Sequence, residues 1–74
     1  MSGGVPIDGE RVRRLREARV MSRKELADRA GVGYSTLADL EGGFRDSARP
    51  QTIRALASVL GVKPQSLGGR PKRA

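Results

Sequence analysis

The sequence predicts an all-α fold, a compact bundle of four to five short helices, and three observations support this prediction. Apolar residues recur at helical spacing, and the chain contains no strand-like alternation and no internal repeat. Glycine and proline interrupt the apolar stripes at short intervals, which limits each helix to a few turns. The 74 residues include no cysteine and no histidine, so disulfides and the usual zinc sites are excluded and stability must come from an apolar core. With one phenylalanine, one tyrosine and no tryptophan, that core is aliphatic.

The first helix is predicted from an N-cap at Asp8 to about Arg19, because the Asp8 carboxylate can accept hydrogen bonds from the free amides of the first turn. Val12 and Leu15 begin the apolar face of this helix. Arg16 follows on the same face, where a charged residue is unexpected. The first helix therefore directs a cation toward the core, where it requires a partner.

Two shorter helices follow and are separated by a glycine-containing turn. The sequence "SRKE" is a capping box, in which the Ser22 hydroxyl and the Glu25 carboxylate satisfy amide donors reciprocally. It opens a second helix over about 23–30, which Gly31 ends with a residue that tolerates positive φ. A third helix spans about 34–41 and is ended by a pair of glycines.

A fourth helix and one further turn complete the predicted bundle. Pro50 suits the first turn of a helix, and Gly61 is placed to end it. Residues 64–67 form one more turn, from which Leu67 closes the core. The apolar stripe of the fourth helix has the i, i+3, i+4, i+7 spacing and consists of Ile53, Leu56, Ala57 and Leu60.

The second and third helices match the helix-turn-helix pattern, in which the second of two short helices enters the major groove of DNA. The third helix is about 12 Å long at eight residues, close to the width of the major groove. So short a helix is not stable alone, and packing against the other helices must hold it.

A resemblance to a known family covers about residues 7–67 and rests on the combined spacing of the motifs "LRE", "S..ELA..AGV", "ST....E.G" and "VLGV". By these motifs the chain resembles the Cro/repressor family of helix-turn-helix domains, the lambdoid repressor and xenobiotic-response-element type. The resemblance implies a lambda repressor-like, five-helix DNA-binding transcriptional regulator, often dimeric on palindromic sites.

Three features depart from the family pattern. Val20 stands where the family usually has glycine between the first two helices, so this turn is either strained or differently shaped. Arg23 replaces the usual glutamine at the start of the second helix. The loop after the third helix is a little longer than in the phage repressors.

Four residues of the third helix and its N-terminal edge are candidates for contact with bases. With the two leucines of this helix turned inward, Ser35 and Asp39 lie on the opposite face. Ser35 can donate or accept at a base edge, Tyr34 can pack on a thymine methyl or bond a phosphate, and Asp39 can accept from cytosine N4. Alternatively, Tyr34 is an aromatic at the edge of the core, and Asp39 is a solvated charge or the partner of a nearby arginine. By the resemblance, the base-contacting positions are Gly33, Tyr34, Ser35 and Asp39.

A second group of residues is predicted to contact phosphates. Ser22 and Arg23 lie at the start of the second helix, whose free amides favour an anion. Arg45 and Arg49 flank the loop after the third helix, where the family usually meets the DNA backbone. The alternative for each arginine is an ordinary surface charge.

A structural ion pair is predicted between Arg16 and Glu41. Arg16 lies on the apolar stripe of the first helix, and Glu41 lies beside the leucines on the inner edge of the third. Two inward-pointing opposite charges indicate a partly buried pair, and the family resemblance implies the same pairing.

The predicted domain covers residues 8–67, between a flexible leader at 1–7 and a disordered basic tail at 68–74. In the tail, "GRP" followed by basic residues is similar to half of an AT-hook core, which would place Arg70 and Arg73 in a minor groove. The second arginine of that core is missing before the glycine, and a generic basic tail is the favoured interpretation.

The net charge of +7 favours a polyanionic partner, and no apolar stretch is long enough to span a membrane. The leading hypothesis is a sequence-specific double-stranded DNA-binding transcriptional regulator, a repressor, that is cytoplasmic and nucleoid-associated. The alternative is a protein-interaction module, antitoxin-like or an adaptor, with the same fold. RNA binding is disfavoured because stacking aromatics are scarce.

Catalysis, a metal and a cofactor are not expected, because the sequence shows no convincing nucleophile–base set and no histidine or cysteine. A weak homodimer, or a monomer that pairs on DNA, is the expected oligomeric state. Arginine outnumbers lysine, which indicates a GC-rich genome of a bacterium, its phage or a mobile element.

Overall fold

The computed structural model describes residues 4–68 and shows four α-helices, a two-stranded sheet and one 3₁₀ helix. No helix within this part of the chain has the length and apolar character needed to cross a membrane. The all-α class is confirmed, with the small sheet as an addition. In chain order the elements are β1 (Val5–Pro6), α1 (Gly9–Ala18), α2 (Arg23–Ala30), α3 (Tyr34–Gly42), β2 (Ser47–Ala48), α4 (Pro50–Leu60) and the 3₁₀ helix (Pro64–Leu67).

The core is aliphatic and draws on every helix. α4 packs against α2 and the 3₁₀ helix, and α1 packs against α3, so the short helices bury their apolar faces on one another. Packing of this kind compensates for the weak intrinsic stability of helices of two or three turns. The largest fully buried side chains are Leu26, Leu37, Leu40, Leu56, Leu60, Leu67 and Val12.

The ends of α2 follow from local hydrogen bonding. The Ser22 hydroxyl accepts from the Glu25 amide at 3.0 Å, and Gly31 ends the helix with φ of 69°. The Glu25 carboxylate, expected to return to Ser22, instead lies 3.3 Å from Arg29 Nη2, one turn further along the helix. An exposed cation at i+4 thus takes the carboxylate that the capping box would use.

The turn between α1 and α2 is strained at Val20. Within residues 4–68, Val20 is the single non-glycine residue with positive φ, at 54°. Its side chain is 89% exposed, so no burial offsets the clash of a β-branched residue in the left-handed region. Of the two alternatives for this turn, the structure shows the strained one.

The expectation of a flexible leader over 1–7 is wrong for residues 5–7. Val5 pairs with Ala48 and Pro6 with Ser47 in the antiparallel sheet. Ile7 is only 4% exposed, and its amide donates to the Asp46 carbonyl at 3.0 Å. Burial of the Ile7 side chain fixes this segment, whereas its glycine and proline content indicated a loop.

The boundary of the C-terminal tail also differs from the prediction. Gly68, assigned to the tail, forms an antiparallel bridge with Ile7 and belongs to the folded domain. Arg70 and Arg73 lie outside the described residues, so the minor-groove role of the tail stays a prediction.

The first residue of α1 lies directly on the backbone of α3. A Cβ added at Gly9 would overlap the Leu40 carbonyl, which leaves no room for any side chain. Gly9 therefore sets how closely the N-terminus of α1 approaches the C-terminal half of α3.

Gly9→Ala is expected to lower the free energy of unfolding by about 1–3 kcal/mol, because the added methyl forces α1 and α3 apart. Urea denaturation followed by circular dichroism measures this change. Gly68→Ala is the matched control, since its added Cβ would lie 3.4 Å from the Gln65 carbonyl oxygen, an ordinary contact. Equal stability of the two variants would contradict the close approach of α1 to α3.

Val20→Gly is expected to stabilise the protein by about 1 kcal/mol, since relief of the left-handed strain exceeds the added entropy of the unfolded chain. For a domain of this size that is a rise in Tm of about 4–8 °C. Val20→Ala loses the β-branch but keeps the Cβ that clashes in the left-handed region, so its Tm should lie between those of the parent and Val20→Gly. A lower Tm for Val20→Gly than for the parent would show that the turn is relaxed.

Candidate nucleic-acid interface

Helix α3 has a buried face and an open N-terminal edge. Leu37 and Leu40 are 0% and 1% exposed, so the inner face of the helix is fixed in the core. Tyr34 is 51% exposed at the first helical position, and Ser35 beside it is also exposed. Gly33 is the exposed N-cap with φ of −61° and ψ of 141°. The structure thus places three of the four base-contact candidates together on one open edge.

Asp39, the fourth base-contact candidate, has an arginine neighbour. Its Oδ2 lies 3.8 Å from Arg45 Nη2, and both side chains are about half exposed. The Asp39 carbonyl accepts from the Phe44 amide at 3.0 Å and the Arg45 amide at 3.2 Å. This long ion pair is the arrangement of the alternative interpretation, and it brings a base-contact candidate together with a phosphate-contact candidate.

The phosphate-contact candidates occupy two places. Ser22 and Arg23 lie at the start of α2, where the Ser22 hydroxyl is already engaged with a backbone amide and the Arg23 Nε donates to Glu41 at 3.2 Å. Arg49 is the exposed N-cap residue of α4. Arg45 lies in the loop after α3, close to Asp39. Because its Nε is bonded to Glu41, Arg23 is more restrained than an ordinary surface arginine.

Arg16 and Glu41 form a buried, bidentate ion pair between α1 and α3. Arg16 Nε donates to Glu41 Oε2 at 2.8 Å and Arg16 Nη2 to Oε1 at 2.9 Å. Arg16 Nη1 donates to the Met21 carbonyl at 2.8 Å, so the turn before α2 is tied to the same group. The hydrogen bond and charge of Glu41 raise the pKa of Arg16 above its ordinary value, although burial opposes this. The Arg16 guanidinium therefore stays charged throughout the neutral pH range.

Two features of this surface were missed from the sequence. The contact between Arg23 and Glu41 joins residues assigned to different roles. Phe44 is 87% exposed and follows directly after the glycines that end α3. The single phenylalanine of the chain, placed in a loop of polar and glycine residues, was the available signal for an exposed apolar contact.

A family model described as a helix-turn-helix domain matches residues 9–67, which cover α1 to the end of the 3₁₀ helix. The chain belongs to this helix-turn-helix family. The resemblance identified from the sequence motifs is thereby confirmed.

The helix-turn-helix chain is similar to curated transcriptional regulators. It is 37% identical to the uncharacterized HTH-type transcriptional regulator RghRB of Bacillus subtilis over 59 residues, which cover 80% of this chain and 42% of that protein. It is 36% identical to the HTH-type transcriptional repressor RghR of the same organism, over 80% of this chain and 44% of the repressor. The chain spans less than half the length of these relatives.

Among solved structures, the fold is similar to that of SinR, the master regulator for biofilm formation, in complex with DNA. The TM-score is 0.78 at 28% identity, covering 81% of this chain and 95% of that chain. SinR in complex with the SinI protein matches with the same TM-score of 0.78 over 58% of that chain. Hydroxyethylphosphonate dioxygenase matches with a TM-score of 0.77 and 29% identity, but only 14% of that enzyme is covered.

Glu41→Gln is expected to lower the free energy of unfolding by about 3 kcal/mol, because the buried Arg16 guanidinium loses its counter-charge. Chemical denaturation at neutral pH measures the loss. Glu10→Gln is the matched control, since the Glu10–Arg14 pair has side chains 59% and 72% exposed and should contribute at most about 0.5 kcal/mol. A Glu41→Gln variant as stable as the parent would refute the structural role of the pair.

Proposed function

We propose that this helix-turn-helix chain is a sequence-specific double-stranded DNA-binding transcriptional regulator, a repressor, that inserts α3 into the major groove. One observation carries the proposal. The leucines of α3 are buried in the core while Tyr34 and Ser35 at its N-terminal edge are exposed. A helix held in this way can present hydrogen-bonding and apolar groups to base edges while its buried face stays packed in the core.

In this proposal Ser35 and Tyr34 read bases, with Gly33 allowing close approach of the backbone. Asp39 has two options, acceptance from cytosine N4 or restraint of Arg45. Arg23, Arg45 and Arg49 contact phosphates and fix the register on the duplex. The Ser22 hydroxyl accepts from the Glu25 amide in the helix cap, and we propose that its O–H donates to a phosphate at the start of α2. The net charge of +7 supplies the long-range attraction.

The relatives support this assignment. RghR is a transcriptional repressor, and the immunity repressor of Bacillus phage phi105 is 33% identical over 82% of this chain. SinR has been solved on DNA. We further propose that the protein acts on cytoplasmic, nucleoid-associated DNA, that two copies pair there, and that it is a binding domain without catalytic activity.

A protein-interaction module is the second candidate. Asp39 places a carboxylate, which repels phosphates, on the outer side of α3. Phe44 nearby is 87% exposed, and aromatic residues are enriched at protein interfaces. SinR has also been solved with a protein, SinI. A pulldown that retains a protein partner, with no duplex bound by the purified chain, would decide for this candidate.

The test of the proposed function is in-vitro selection of random duplex DNA with the purified protein. We expect enrichment of one sequence, with two half-sites about 10 base pairs apart if two copies pair on the DNA. Binding of the selected duplex should weaken steeply with salt, with a log–log slope of roughly −0.9 for each phosphate neutralised. Failure to enrich any sequence, or binding insensitive to salt, would overturn the proposal.

Ser35→Ala and Arg49→Gln are expected to weaken binding of the selected duplex in different ways. Ser35→Ala should cost about 0.5–1.5 kcal/mol on the preferred sequence and relax selectivity at one base position. Arg49→Gln should weaken binding to all sequences alike. It should also reduce the magnitude of the log–log salt slope by about 0.9, the value for one phosphate. Fluorescence anisotropy on the selected and a scrambled duplex, across a salt series, separates the two effects. Identical behaviour of both variants would contradict the division into base and phosphate contacts.

A further inference from the structure

The Glu41 carboxylate contacts two arginines. Its Oε2 accepts from Arg16 Nε at 2.8 Å, and its Oε1 accepts from Arg16 Nη2 at 2.9 Å and from Arg23 Nε at 3.2 Å. One carboxylate therefore faces two guanidinium groups drawn from two different helices. The cluster carries one positive charge more than Glu41 can neutralise.

The excess charge is accessible at Arg23. The Glu41 side chain is 0% exposed and that of Arg16 is 10% exposed, whereas the Arg23 side chain is 35% exposed. Arg16 Nη1 also donates to the Met21 carbonyl at 2.8 Å. Each of the three nitrogens of Arg16 therefore already donates to the protein, and the more exposed Arg23 is the member of the cluster that can take a further anion.

We propose that Glu41 holds Arg23 by its Nε so that the two terminal nitrogens of Arg23 together bind one phosphate of the DNA backbone. A guanidinium carries five N–H donors in a rigid fork, and the contact with Glu41 uses one of them. Arg23 thus has a bidentate edge left for phosphate, the geometry in which such pairs are strongest. This inference rests on the proposed function and makes Glu41 a positioning residue for the phosphate contact.

The arrangement requires arginine and not merely a positive charge. A lysine at position 23 has its three N–H donors on one nitrogen. It therefore cannot hold the Glu41 carboxylate with one nitrogen and present two others, in one plane, to the phosphate. Arg23→Lys keeps the net charge and hence the long-range attraction. It removes the bidentate phosphate contact that Arg23 can make while its Nε is bonded to Glu41, so it separates positioning from simple electrostatics.

The experiment uses the full chain and the duplex selected with the wild-type protein. Backbone phosphates are replaced one at a time by neutral methylphosphonates. Wild-type protein should lose about tenfold in affinity at each phosphate that it contacts, including the one that we assign to Arg23. Arg23→Lys should bind the unmodified duplex about tenfold more weakly than wild type and should lose little more when that same phosphate is neutralised.

Arg29→Lys is the matched control. Arg29 lies on the same helix and its side chain is 60% exposed, but its partner is Glu25 and not Glu41. The Arg29→Lys variant should have the same affinity for the duplex and the same methylphosphonate profile as wild type. Arg23→Lys should also keep its melting temperature within a few degrees, because the bidentate Arg16–Glu41 pair remains.

A measurement on the free protein tests the positioning itself. The Nε proton of Arg23 should exchange with water measurably more slowly than that of Arg29 in NMR spectra at neutral pH, since it donates to a fully buried carboxylate. The difference should persist when the selected duplex is bound.

The outcomes separate this inference from the proposed function. If wild-type protein enriches no duplex, the proposed function fails and the phosphate contact fails with it. If wild-type protein binds a selected duplex but Arg23→Lys binds it equally tightly with the same methylphosphonate profile, only the role of Glu41 in positioning Arg23 is overturned. Equal exchange of the Arg23 and Arg29 Nε protons would overturn it as well.

Discussion

The buried Glu41 carboxylate ties three helices together. An ionised carboxylate without water needs cations and donors in its place, and here Arg16 of α1 and Arg23 of α2 supply them to Glu41 at the end of α3. The Met21 carbonyl, bonded to Arg16, fixes the intervening turn as well. The relative positions of α2 and α3, the two helices of the helix-turn-helix, thus depend on neutralising the charge of Glu41. This matters because the apolar core of so small a domain is limited.

The buried face and the N-terminal edge of α3 have different roles. Its buried leucines and the close approach of Gly9 to the Leu40 carbonyl hold the helix against α1. Its N-terminal edge, at Tyr34 and Ser35, is exposed to solvent, Tyr34 to 51%. The residues that fix the helix and the residues that we propose to read DNA are therefore distinct, which permits sequence preference to change without loss of the fold.

Most of the fold followed from local sequence patterns, because helix stripes, caps and glycine stops act within a few residues. The pairing of Val5 with Ala48 did not, since short strands have no pattern of their own and depend on a distant partner. In the site, the opposed inward charges of Arg16 and Glu41 were visible in the sequence. The additional contact between Arg23 and Glu41 was not visible in the sequence. An arginine at the start of a helix is normally a surface charge, and only the positions of its neighbours in the structure show otherwise.

The bridge between Ile7 and Gly68 brings the two ends of the domain side by side. The chain therefore enters and leaves the domain at neighbouring positions, next to β1. A short linker joining these ends, with a new opening in the exposed loop around residues 43–46, gives a circular permutant that keeps every helix intact. For the same reason, segments attached at either end leave from one point on the surface.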